Sequence, residues 1–201
     1  MSARLPGAGS LALLFHGTAY AFTAFREGDT AGGERATIGT HFAQGEAFAA
    51  HYAEAVGRRR DAGAPGVLIC LARMDNPYRE SCARRFAALD RWTRQTLSQA
   101  GHDGIITERL LDEDSVWVVF DPRRAVPIAR YEIGADALPG TARGGYLDEI
   151  NAPQLIEMIA RREALTWLPG GRERLDAALL EAGIERQAAA MGMRAPNCPT
   201  P

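Results

Sequence analysis

The sequence predicts an α+β fold, with a mixed sheet core and a helical C-terminal extension. Three observations carry this expectation. Apolar runs at residues 11–16, 67–71, 105–107 and 115–120 are short and bounded by turn residues, as buried strands are. Few helical patterns separate the later runs, which favours direct strand neighbours over a regular alternation of strand and helix. Beyond Leu147 the pattern becomes helical alone.

Taken in order, residues 1–10 form a loose start, and residues 11–16, bounded by Gly9-Ser10 and Gly17, read as a central strand. Residues 26–39, rich in Gly, Thr and charge, read as a loop able to close over a ligand. From about Gln44 to Arg60, Ala47, Phe48, Tyr52 and Val56 recur at helical spacing, which predicts that Tyr52 faces the core. Val67-Leu68-Ile69-Cys70-Leu71 is a second strand, stopped by Asn76-Pro77. Residues 81–100 read as one long amphipathic helix carrying Phe86, Leu89, Trp92 and Leu97.

Gly101-His102-Asp103-Gly104 is a tight turn, its Asp103 serving the turn, and it leads into Ile105-Ile106-Thr107. The run of residues 115–120, ended by Asp121-Pro122, has the Val-Trp-Val-Val-Phe character of a strand buried on both faces. Asn151 caps a helix containing Leu155, Ile156 and Ile159, with Gln154 set to reach back as in a capping box. After Gly170-Gly171 a second helix is expected from about Glu173 to Ala190, before a frayed tail. The expected division is a core of residues 1–146 and an extension of residues 147–201, packed on the core or used for a partner.

Composition narrows the function. Of 201 residues, 46% are hydrophobic, enough for a substantial core. Lys and Arg total 23 against 25 Asp and Glu, so a net charge of −2 provides no general attraction to nucleic acid or an anionic membrane, and neither is expected as a partner. Arg58-Arg59-Arg60 closes an expected helix, where its dipole favours cations. The three cysteines form no CxxC pair and the four histidines lack metal-ligand spacing, so a reduced compartment and no metal are expected. The apolar part of residues 11–16 is too short for a signal-peptide core, which predicts a cytoplasmic protein unless a dedicated machine delivers it to another cell.

The chemistry-bearing pattern is Leu14-Phe15-His16-Gly17-Thr18, then Gly39-Thr40-His41-Phe42-Ala43, then Tyr52, eleven positions after His41. Singly, a strand-end histidine is explained by a structural hydrogen bond, and Tyr52 by a core aromatic; the joint spacing carries the argument. With Gly101 to Ile106 and Val118 to Pro122, these residues resemble the ADP-ribosyltransferase superfamily, in its diphtheria-toxin-like and poly(ADP-ribose)-polymerase-like branch. The likeness spans residues 11–128 and is strongest to the small domains of phage polyvalent proteins.

The resemblance implies a domain that binds NAD as substrate, cleaves its nicotinamide–ribose bond and transfers ADP-ribose to a macromolecular acceptor, expected to be a protein. It implies that His16 bonds the adenosine ribose, that the Gly17 backbone holds the nicotinamide carboxamide, and that Thr18 and Tyr20 position the nucleotide. His41 and Tyr52 would clamp the nicotinamide ring, with Phe42 beside them in the binding set. Ala49 takes the position of a carboxamide-binding serine, and Val116 that of the usual catalytic glutamate. The carboxylate is therefore sought at Glu108, next to a strand end, with Asp114 and Glu113 as alternates; His16 completes the catalytic set. The resemblance implies no metal or redox cofactor. Two other readings are a catalytically inactive NAD-binding or protein-interaction module, and a scaffold whose C-terminal helices dock a partner.

Overall fold

The computed structural model describes residues 11–20, 22–26, 38–60, 64–108, 114–133, 141–160 and 165–183. Residues 27–37 of the expected loop, Glu113, and both chain ends lie outside the described residues. The fold is α+β, with a large mixed sheet and a few helices. The strands are β1 (Leu11–Thr18), β2 (Thr40–Ala43), β3 (Gly66–Arg73), β4 (Tyr78–Glu80), β5 (Gly104–Thr107), β6 (Val116–Val119), β7 (Ala125–Glu132), β8 (Gly145–Tyr146) and β9 (Thr166–Trp167). The helices are α1 (Glu46–Arg60), α2 (Ala83–Ala87), α3 (Arg91–Gln99), α4 (Ala152–Ala160) and α5 (Gly171–Glu181).

The sheet order is β4-β5-β6-β2-β1-β3-β7-β9, with β8 also on β1. Among the described residues only β4 and β5 pair in parallel; the other ladders are antiparallel. The spine is β1 against β3, in unbroken register from Leu11↔Arg73 to Thr18↔Gly66. β3 is buried from Gly66 to Ala72, as its continuous apolar run requires of a strand covered on both faces. On one face, α1, α4 and α5 cover Leu13, Phe15, Ile69 and Ile128; on the other, Leu14, Phe42, Leu68, Cys70 and Trp117 form a second cluster. Leu155, Ile159, Leu175 and Ala178 belong to the first cluster, so α4 and α5 share one core with the sheet.

Several elements differ from the sequence reading. The single helix expected at residues 81–100 is two, because Asp90 restarts the chain as an N-cap, its carboxylate accepting from the Thr93 N–H at 2.8 Å. These bonds also hold the Asp90 carboxyl below its usual range. β7 is absent from the sequence reading because Pro127 argues against a strand interior; it is accommodated opposite an irregular register between Ile69 and Cys70. The Asp103 carboxylate serves the turn at Asp75-Asn76 rather than its own. It accepts from the backbone N–H groups of Asp75 (2.6 Å) and Asn76 (3.0 Å) and pairs with Arg124 at 2.6 Å. Burial works against the Arg124 charge, but Asp75 and Asp103 together raise its pKa above the ordinary value. Asn151 does cap α4, its Oδ1 accepting from the Gln154 N–H at 3.3 Å, while the two side chains also bond each other.

The face that α1 buries is also different. The predicted stripe through Tyr52 is not the core stripe: Ala49, Ala50 and Ala53 are buried, whereas Tyr52 is 49% exposed. The cause is close approach. A Cβ on Gly17 would stand 1.9 Å from the Ala49 carbonyl oxygen, so helix and strand meet through a glycine and alanines with no room for larger side chains.

Candidate functional site

The site begins where a ladder stops. β1 and β2 share one register pair, Phe15↔Ala43, although β1 matches β3 along its whole length and β2 matches β6 from Thr40↔Val119 to Ala43↔Val116. Past Phe15, the side of β1 that faces β2 has no strand paired to it among the described residues, and backbone groups so placed need water or a ligand. That stretch is His16-Gly17-Thr18, facing Thr40-His41-Phe42. A side chain spans the interruption: His16 Nδ1 donates to the His41 carbonyl oxygen at 2.8 Å.

This bond decides the state of His16. A carbonyl can only accept, so Nδ1 carries the proton and Nε2 is left as an acceptor. Nε2 has no hydrogen-bond partner among the described residues. Burial lowers the His16 pKa, and the His41 bond opposes this only in part, so the ring is neutral near pH 7. Phe22, Phe25 and Phe42 surround it edge-on, with ring centroids 5.9, 5.2 and 5.8 Å away. The sequence reading missed Phe22 and Phe25; their spacing just after the His-Gly-Thr motif was the available signal.

The remaining residues fall into groups. Thr18 is buried and its hydroxyl accepts from the Tyr20 N–H at 3.0 Å, which turns the chain and leaves the Tyr20 ring 45% exposed. Phe42 is a core residue at 2% exposure, on the face of His16. His41 lies on the opposite face, its Nδ1 donating to the Gly39 carbonyl at 3.1 Å and its ring meeting Phe86 of α2 at 6.4 Å. Tyr52 makes no hydrogen bond or ring contact among the described residues, so its exposed ring is open to a ligand. The rings of His16 and His41 thus flank the ladder interruption from the two sides of the sheet.

Neither described carboxylate candidate adjoins that interruption. Glu108 follows β5, which β6 and β2 separate from β1, roughly 14 Å at the usual strand spacing. It lies level with the Val116 end of β6, its side chain 56% exposed and 4.0 Å from Arg79. Asp114 is 6% exposed and fully engaged: both oxygens accept from the Gly45 N–H at 3.0 Å, one accepts from Ser115 N–H at 2.9 Å, and Arg143 lies 3.4 Å away. Its bonds fix the turn between β2 and α1. Glu46, the first residue of α1, is also buried there, accepting from Tyr131 Oη–H at 2.5 Å and Ala142 N–H at 3.2 Å. No local pattern signals this role, because Glu46 and Asp114 hold partners far along the chain. Val116, in the position of the resemblance's glutamate, is a buried strand residue paired with Ala43.

Comparison of the chain with protein-family models, curated proteins and solved structures finds no match. Among the described residues there is no group of three side chains suited to a metal ion and no helix long and apolar enough to cross a membrane.

Proposed function

We propose that the chain binds NAD at the interruption between β1 and β2 and transfers ADP-ribose from it to a protein acceptor. The observation that carries this reading is the end of the ladder at Phe15↔Ala43, alongside His16-Gly17-Thr18. Backbone groups along His16-Gly17-Thr18 left unpaired toward β2 suit a carboxamide, and the Nε2 acceptor of a neutral His16 suits a ribose hydroxyl. Further support is the sheet order: β5, β6, β2 and β1, which carry the resembling blocks, are consecutive neighbours. Tyr52, exposed on α1, supplies a π face for the electron-poor pyridinium.

In the reaction, the bond between the ribose anomeric carbon and the nicotinamide nitrogen breaks, and nicotinamide leaves with the electron pair. The acceptor nucleophile bonds to that carbon and releases its proton. A carboxylate stabilises the positive charge that develops on the ribose. Glu108 and Asp114 are the described candidates. Labelled NAD offered with lysate proteins tests the reading, using wild type, Glu108→Gln and Asp114→Asn checked for folding. Label on proteins that falls at least about a hundredfold in one variant supports transfer and names its carboxylate; absence of label in wild type contradicts transfer.

A second reading has its own observation. Val116 stands where the resemblance would put the catalytic glutamate, Asp114 is engaged by backbone N–H groups, and Glu108 is two strands from β2, an arrangement that favours a module binding NAD without turnover. NAD binding without release of nicotinamide is its signature.

A further inference from the structure

At the other end of the sheet, a cleft of about 410 Å³ opens between α5 and the strand ends of β1, β3 and β7. Its apolar lining comes from Leu11, Leu71, Val126 and Ala178. Four arginines, Arg73, Arg123, Arg124 and Arg174, also line it, against one acidic residue among the described ones, Glu181. In a chain of net charge −2, such a concentration of cations on an apolar concavity needs a reason.

The pairing of these arginines supplies part of it. Arg123 is held by Asp121 through bonds of 2.9 and 2.8 Å, and Arg124 by Asp75 and Asp103; none of these three carboxylates lines the cleft. Arg73 pairs with Glu181, the one acid that does. Both members are partly exposed, at 36% and 50%, so the pair is readily exchanged. Arg174 donates to the Pro169 carbonyl at 3.1 Å and has no carboxylate partner among the described residues. Glu181 is thus a carboxylate on a short aliphatic stem, reaching an arginine at the rim of an apolar cleft while a second arginine stays uncompensated. The cleft is open to solvent, and its volume falls in the range of small-molecule sites.

We propose that this cleft binds a small organic anion, a phosphate or carboxylate group on an apolar body, with Arg73 and Arg174 taking the charge and Glu181 acting as internal competitor. Leu11, Leu71 and Val126 take the apolar body. A guanidinium presents a planar fork to either anion, so the two chemistries share the site. The inference is independent of the NAD reading, since the cleft lies at the end of β1 remote from Thr18.

Calorimetric titration with phenyl phosphate, benzoate and inorganic phosphate tests it, on wild type, Glu181→Gln, Arg174→Gln and His16→Ala. The expected result is saturable binding of phenyl phosphate or benzoate, whichever is tighter naming the anion, with inorganic phosphate weaker than both. Glu181→Gln should bind up to about fivefold more tightly, Arg174→Gln about tenfold more weakly, and His16→Ala as wild type. Should Glu181→Gln disturb folding, Arg174→Gln still decides. Binding of neither organic anion, or binding unchanged in Arg174→Gln, overturns the proposal; inorganic phosphate binding as tightly as phenyl phosphate overturns the role of the apolar lining.

Discussion

His16 owes its chemistry to one backbone carbonyl and a ring of phenylalanines. The carbonyl fixes the proton on Nδ1, and burial keeps the ring neutral. Because the folded pKa lies below the unfolded value of about 6.5, the unfolded chain takes up its proton first as pH falls. The stabilising contribution of neutral His16 is complete above about pH 6.5 and is lost on acidification from there to the folded pKa. Melting temperatures from pH 8 to 5 should therefore fall more steeply for wild type than for His16→Gln; parallel curves would show that burial of this ring is not felt. The buried Glu46 carboxylate depends on the Tyr131 hydroxyl. Tyr131→Phe keeps the ring volume but removes one donor to a buried carboxylate, which should cost about 1–3 kcal/mol in urea denaturation. No loss would mean that water replaces the hydroxyl.

The elements differ in how far the sequence discloses them. β3 and β6 are continuous apolar runs, and they are strands buried on both faces. β7 is hidden by Pro127, whose missing N–H falls beside an irregular register. In α1 the large side chains outline one stripe while the sheet accepts another, since the backbone contact at Gly17 admits only Ala49 and Ala53. Periodicity weighted by side-chain size cannot foresee a face selected for smallness. The candidate site shares this division. His16, Gly17 and Tyr52 are legible as a spaced motif, whereas the ladder's end and the engagement of Asp114 are pairings across the sheet, which no local pattern records. Gly17→Ala tests the close approach: its methyl must push α1 from the sheet, destabilising by about 1–3 kcal/mol. The same shift would displace Tyr52 and weaken the proposed nucleotide binding; a variant of unchanged stability would refute the contact.

At the scale of the molecule, the sheet consists of two well-paired halves, β4-β5-β6-β2 and β1-β3-β7-β9, joined at Phe15↔Ala43 and by the His16–His41 bond. α1, anchored through Glu46 and Asp114, follows β2 and packs on β1, so it couples the halves. A ligand lying along the interruption would join them further and stabilise the fold by about 2.7 kcal/mol at a hundredfold excess over its Kd. The arginine cleft lies at the opposite end of β1, where a ligand would tie α5 to the sheet without touching this junction. Both the transferring and the non-transferring readings require NAD at the β1–β2 junction. Equilibrium titration of NAD into the wild type and into Tyr52→Ala tests that claim most directly. Saturable binding by wild type and about tenfold weaker binding by Tyr52→Ala, the loss of one aromatic face, are expected; no binding by wild type, or equal binding by the two, would rule out NAD at this junction.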